Sequence, residues 1–107
     1  MSDSTSPNAT ILAVDDDVDV LDMLEHIFVR NGYRMLRAFN GRDALRALHS
    51  DPSIDIVLLD LLMPVMGGLD VLQEIRADST LRPIPVLIVT GVVMTAQAIA
   101  SVGRLSV

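Results

Sequence analysis

The chain has 107 residues, half of them apolar, which is enough for one domain with a buried core and too few for two domains. Its formal net charge of −6 argues against a nucleic-acid-binding surface, and its eight basic residues are all arginine. The absence of cysteine excludes disulfides and thiolate metal sites.

The first eight residues are polar and lack an apolar pattern, so we expect residues 1–8 to form a disordered tail. The N-terminus has neither the basic region nor the apolar run of a secretory signal. The segment from Pro83 to Gly103 is uncharged, but its prolines and its polar side chains argue against a membrane span. We therefore expect a cytoplasmic protein without a membrane partner.

The first predicted strand is the apolar run Thr10–Val14, which ends in acidic residues. Apolar residues at helical spacing then predict the first helix, with Asp17 as its N-cap and Asn31-Gly32 as its end. The apolar face of this helix comprises Val20, Leu21, Leu24, Ile27 and Phe28.

The segment from Tyr33 to Ala38 is predicted to be the second strand, and Asn40 can cap a second helix. The inner face of that helix is predicted to contain Ala44, Leu45 and Leu48. We interpret the arginines of this region as solvated; they are Arg30, Arg34, Arg37, Arg42 and Arg46.

The third predicted strand, Ile54 to Leu59, is almost entirely apolar, which is typical of a strand covered on both faces. A loop is predicted from Met63 to Gly68, and the residues Leu69, Leu72 and Ile75 indicate a third helix. The remaining predicted elements are a fourth strand over Val86–Val89, a helix over Thr95–Val102 and an extended segment from Leu105.

This alternation of strands and helices predicts an α/β fold, a doubly wound parallel sheet with helices on both faces. In such sheets, the functional crevice lies beyond the carboxyl ends of the strands. Polar residues follow three of the predicted strands at this edge: Asp15, Asp16 and Asp17 follow the first, Asp60 the third and Thr90 the fourth.

Several carboxylates at one edge repel one another, and a bound cation relieves the repulsion. A set of oxygen ligands without cysteine favours a hard ion such as Mg²⁺. A single acid at a strand end is more often a helix cap, and we expect that role for Asp17. Asp15, Asp16, Asp60 and Thr90 all follow strand ends, and this shared position favours a functional site.

Three stretches of this sequence resemble the signature segments of response-regulator receiver domains. They are Ile11–Asp17, Val57–Gly68 and Pro83–Gly91, and the resemblance covers about residues 9–107. It implies a flavodoxin-like sheet with the strand order 2-1-3-4-5.

The resemblance also implies a role for each matching residue. Asp60 would accept a phosphoryl group from a sensor histidine kinase or a phosphotransfer protein. Asp15, Asp16, Asp60 and the backbone carbonyl of Leu62 would hold Mg²⁺. Thr90 would bind the phosphoryl group and switch a protein-interaction surface, and the Gly91 amide could donate to the same group.

The sequence departs from the family pattern in two places. Receiver domains carry a lysine at the end of the fifth strand, and this chain has no lysine. We expect a short fifth strand and no fifth helix, so the receiver domain over residues 9–107 would be incomplete at its C-terminus. Truncation and natural loss would both explain this, and truncation is favoured. The uncovered flank of the sheet would favour a homodimer. The second departure is Gly67, where the family usually has an acid.

Two other functions stay open at this point. One is an interaction domain that keeps the receiver fold without phosphorylation, as the missing lysine would allow. The other is a Mg²⁺-dependent phosphohydrolase, although those enzymes usually have a second aspartate at the position of Leu62. In the leading interpretation the protein is not an enzyme, and its output passes to an unknown downstream protein or to a deleted effector domain.

Overall fold

The computed structural model describes residues 9–61, 63 and 67–89, and strands and helices alternate through these ranges. In chain order the elements are β1 (Thr10–Val14), α1 (Val18–Arg30), β2 (Arg34–Ala38), α2 (Gly41–Ser50), β3 (Ile56–Leu59), α3 (Gly68–Ala77) and β4 (Val86–Ile88).

The described strands form one parallel sheet in the order β2-β1-β3-β4. This arrangement confirms the predicted α/β fold and the 2-1-3-4 part of the predicted strand order. The predicted helix over Thr95–Val102, the extended segment after it and the tail over residues 1–8 lie outside the described residues.

Side chains of the two central strands alternate between two hydrophobic layers. Leu12 of β1 and Val57 of β3 belong to the layer that α2 and α3 cover, whereas Ile11 and Ile56 belong to the layer beneath α1. All residues of β1 and β3 are buried, as the apolar run in β3 predicted. In the part of the chain that the structure describes, no helix combines the length and the apolar character needed to cross a membrane.

The predicted caps set the bounds of the first two helices. The Asp17 carboxylate accepts hydrogen bonds from the backbone N–H groups of Asp19 and Val20 and begins α1. Gly32 follows α1 with a φ of 88°, a conformation that glycine adopts without steric cost. The Asn40 side chain accepts from the N–H of Asp43 and begins α2.

The third helix begins one residue earlier than predicted. Gly68 was placed in the loop, but it is the first residue of α3, and its buried neighbours along the helix are Val71 and Ile75. Leu69, one of the three apolar residues that indicated this helix, is 61% exposed, whereas Ile75 is fully buried.

Arg37 also departs from its prediction as a solvated residue. Its guanidinium donates to Glu25 and to Asp22, both on α1, at 2.7 Å each. The hydrogen bonds to Asp22 and Glu25 hold the pKa of Arg37 above its ordinary value. This double ion pair links β2, at the edge of the described sheet, to helix α1.

Candidate functional site

The carboxyl ends of β1 and β3 lie side by side and carry the predicted acids. Val14 and Leu59, the last residues of these strands, are paired in register. The next residue after β3 is Asp60, whose N–H donates to the Val14 carbonyl at 3.0 Å, and the Asp15 N–H donates to the Ala38 carbonyl at 3.1 Å. The sheet register therefore fixes the backbones of Asp15 and Asp60 next to each other.

Three of the predicted site residues meet at this edge. Asp15, Asp16 and Asp60 each offer a carboxylate oxygen, and these oxygens lie within 4.8 Å of one another. Asp15 is buried, Asp60 is half-buried and Asp16 is exposed, so the cluster opens to solvent on one side. Asp17 is occupied in capping α1, as predicted.

The pKa of Asp15, the buried member of the cluster, is raised. Burial raises the pKa of Asp15, and the charges of Asp60, Asp16 and Asp17 raise it further. The backbone N–H of Asp17, which donates to the Asp15 carboxylate at 2.9 Å, partly offsets these effects. The cluster therefore carries an unfavourable charge density that a cation would relieve.

The donor set fits a hard divalent ion. It consists of carboxylate oxygens, which Mg²⁺ prefers, and it leaves one side open for the water molecules that Mg²⁺ usually retains. The three carboxylate oxygens lie within 4.8 Å of one another, so a single divalent ion between them would be reached by each acid directly or through a retained water molecule.

The other predicted site residues lie outside the described part of the chain. They are Leu62, Thr90 and Gly91. The main-chain ligand role of Leu62 and the phosphoryl contacts of Thr90 and Gly91 therefore stay predictions.

The structure shows a close contact at this site that the sequence interpretation missed. Gly68, at the start of α3, lies against the backbone of Asp60 and Leu61. A methyl group built on Gly68 would be 2.5 Å from the Asp60 carbonyl oxygen and 2.6 Å from the Leu61 Cα. The pair Gly67-Gly68 was the available signal, since glycine often marks a close approach of two backbones.

Comparison with known proteins shows which family this chain resembles. The family model described as the response regulator receiver domain matches residues 11–104. The uncharacterized transcriptional regulatory protein YrkP of Bacillus subtilis is 41% identical over 80 residues, which are 75% of this chain and 32% of that protein. The chain thus spans about a third of the length of this curated relative.

Solved structures show the same fold. The N-terminal domain of a response regulator receiver protein from Methanoculleus marisnigri is 38% identical, with a TM-score of 0.74 over 90% of this chain and 77% of that one. A putative response regulator from Chloroflexus aurantiacus has a TM-score of 0.84 at 22% identity, over 94% and 98% of the two chains, and shows likeness of fold alone. With its acids at the carboxyl ends of β1 and β3, this chain belongs to the response regulator receiver domain family of two-component systems.

Proposed function

We propose that this receiver domain accepts a phosphoryl group on the Asp60 carboxylate in a reaction that needs Mg²⁺. The observation that carries the proposal is the convergence of the Asp15, Asp16 and Asp60 oxygens within 4.8 Å. In this proposal the receiver domain comprises residues 9–107, preceded by a tail over residues 1–8.

Each acid has a separate part in the proposed site. Asp16 and Asp60 ligate the ion directly, Asp15 contributes through water, and the Leu62 carbonyl supplies a main-chain ligand. When bound, Mg²⁺ neutralises negative charge on the phosphoryl oxygens during transfer. The donor is a phosphohistidine on a sensor histidine kinase or on a phosphotransfer protein.

Asp60 is the nucleophile because it is partly accessible while its backbone is fixed. Its N–H bond to the Val14 carbonyl holds the main chain at the end of β3, and its side chain is half-buried. A carboxylate oxygen attacks the phosphorus, the P–N bond to the donor histidine breaks, and the leaving imidazole takes up a proton. The product is an acyl phosphate on Asp60.

The output of this transfer is a change of surface. The acyl phosphate carries about −2 charges where the Asp60 carboxylate carried one, so the transfer adds roughly one negative charge beside the existing acids. In the proposal, Thr90 binds a phosphoryl oxygen and the Gly91 amide donates to the same group, which changes the surface offered to a downstream protein or effector domain. The protein is then a cytoplasmic signalling phosphoacceptor with at most slow self-dephosphorylation.

The test is phosphorylation by a small-molecule phosphodonor with and without Mg²⁺, followed by intact-mass measurement. We expect the wild type to gain one base-labile phosphoryl group only when Mg²⁺ is present, and we expect no adduct on Asp60→Asn. The matched control is Asp55→Asn, at the opposite end of the same strand. Asparagine there can still accept the hydrogen bond from the Thr10 N–H, so this variant should be phosphorylated like the wild type.

Two outcomes would contradict the proposal. An adduct that persists on Asp60→Asn would remove Asp60 from the acceptor role. A wild type that stays unmodified, together with a version extended beyond Val107 that is also unmodified, would favour the phosphorylation-independent interaction domain.

A further inference from the structure

We propose that Gly68 is a positioning residue for the phosphoacceptor, because its missing side chain lets helix α3 lie against the backbone that carries Asp60. A methyl group at Gly68 would lie 2.5 Å from the Asp60 carbonyl oxygen, 2.6 Å from the Leu61 Cα and 2.9 Å from the Leu61 Cδ2. Two of these three atoms are backbone atoms, so rotating a side chain cannot relieve the contact. This inference rests on the function proposed above.

Helix α3 cannot easily retreat from this contact. Val71 and Ile75, on the same face of α3 as Gly68, are fully buried in the layer that also contains Val57 and Leu59 of β3. Moving the helix outward would separate these side chains from a close-packed core. A side chain at position 68 would therefore displace the segment from Asp60 to Leu61.

The Asp60 backbone is then held from two sides. Its N–H is bonded to the Val14 carbonyl at 3.0 Å, and its carbonyl lies against Gly68. The first contact fixes Asp60 to the end of β1, beside Asp15, and the second limits its movement toward α3. Displacing the peptide on the α3 side would rotate the carboxylate out of the three-acid cluster.

The adjacent glycine provides a matched control. Gly67 has ordinary extended backbone angles, with φ at −60° and ψ at 168°. A methyl group there would lie 3.4 Å from the Met63 carbonyl oxygen and 3.8 Å from that of Leu61, which are normal contact distances. Gly67→Ala and Gly68→Ala thus add the same group at neighbouring positions, and only the second would come closer than a normal contact to the backbone of Asp60 and Leu61.

The experiment measures the initial rate of phosphorylation by a small-molecule phosphodonor over a range of Mg²⁺ concentrations, at a temperature where circular dichroism shows each variant to be folded. We expect Gly68→Ala to lower the maximal rate about tenfold or more and to raise the Mg²⁺ concentration for half-maximal rate, since small misplacements of reacting groups are costly. Gly67→Ala should stay within about twofold of the wild type.

Ile75→Val serves as a second control, because it weakens the core beneath α3 two helical turns after Gly68. Its Mg²⁺ dependence should be that of the wild type, which separates positioning from general loss of stability. A folded Gly68→Ala variant with the wild-type rate and Mg²⁺ dependence would overturn the inference. An unmodified wild type would instead count against the proposed function.

Gly68→Ala could also fail to fold, in which case the comparison moves to a background in which the backbone after Asp60 can shift more easily. Leu61→Gly removes the contacting side chain and loosens the segment after Asp60. We expect Gly68→Ala combined with Leu61→Gly to be phosphorylated several-fold more slowly than Leu61→Gly alone. Equal rates for these two proteins would overturn the inference.

Discussion

The two ends of the parallel sheet carry acidic residues in opposite electrostatic settings. At the carboxyl ends, burial and neighbouring acids raise the pKa of Asp15. At the amino ends, hydrogen bonds from the Ser53 hydroxyl and N–H, together with the charge of Arg34, lower the pKa of Asp51. The charged form of aspartate is thus disfavoured at Asp15 and favoured at Asp51.

The difference indicates which end is built for ligand chemistry. The Asp55 carboxylate accepts from the Thr10 N–H at 2.8 Å, and the Asp55 N–H donates to the Thr10 carbonyl at 2.8 Å, so that acid joins β1 to the residue before β3. At the opposite end, Asp15, Asp16 and Asp60 approach one another. The repulsion between their carboxylates lowers the stability of the fold, and a bound cation would relieve it. The acid at the amino end joins two strands of the fold, whereas the three clustered acids at the carboxyl ends concentrate negative charge that a cation would neutralise.

The largest expected effect concerns Mg²⁺ binding at the carboxyl end. Asp16→Asn should raise the Mg²⁺ concentration needed for half-maximal thermal stabilisation by about tenfold or more, because the ion loses a charged oxygen ligand. Melting curves over a Mg²⁺ titration measure this shift.

The neighbouring Asp17 gives a control with the same change of charge. Asp17→Asn keeps a side-chain oxygen that can cap α1, so its Mg²⁺ midpoint should stay close to that of the wild type. Equal shifts for Asp16→Asn and Asp17→Asn would show that only the overall charge matters and would contradict a site at Asp16.

The next effect is on stability without Mg²⁺. Asp15→Asn should increase the free energy of unfolding at neutral pH by about 0.5–2 kcal/mol, a common size for a single stabilising change, because it removes a charge that burial and neighbouring acids disfavour. Urea unfolding at several pH values, in the presence of a chelator, measures it.

The pH dependence of this gain follows from the raised pKa of Asp15. Between its unfolded value of 3.8 and its higher folded value, the folded state binds more protons, so wild-type stability falls as pH rises through that range. The advantage of Asp15→Asn should therefore grow with pH over the same window. A variant that is less stable than the wild type at neutral pH would show that the Asp15 anion stabilises the fold.

The smallest expected effect lies at the amino ends and has the opposite sign. Asp51→Ala should lower the free energy of unfolding at neutral pH, because Ser53 and Arg34 lose their acceptor. Since the folded pKa of Asp51 lies below 3.8, its contribution is present above that pH and is lost as the pH falls through the lowered value.

The same urea series can divide this effect between charge and hydrogen bonding. Asp51→Asn keeps an acceptor for the Ser53 N–H but loses the ion pair with Arg34, so its stability should fall between those of the wild type and Asp51→Ala. A loss that is unchanged at acidic pH would show that the Asp51 charge has no part in it.

Local signals in the sequence predicted much of the fold. The apolar run of β1 gave its observed bounds, and the side-chain acceptors of Asp17 and Asn40 marked the starts of α1 and α2. The sequence of α3 offers apolar residues on two faces, so periodicity alone could not choose between Leu69 and Val71 for the core. In the structure the buried face of α3 contains Gly68, Val71 and Ile75, and Leu69 is exposed.

Part of the site could also be predicted from the sequence. Acids that follow parallel strands must meet at one edge, so the approach of Asp15, Asp16 and Asp60 followed from topology. The contact between Gly68 and Asp60 did not, because it depends on how closely a helix packs across a loop. Likewise, no local pattern indicated that Arg37 would reach both Asp22 and Glu25.

The ion pairs of β2 have a consequence for self-association. β2 is an edge strand of the described sheet, where an uncovered ladder of N–H and C=O groups could template pairing with another chain. Arg37, paired with two carboxylates of α1, and the half-exposed Arg34, paired with Asp51, place charge along this rim. A strand from another chain that paired with β2 would have to displace these charged side chains, so they disfavour aggregation through this edge.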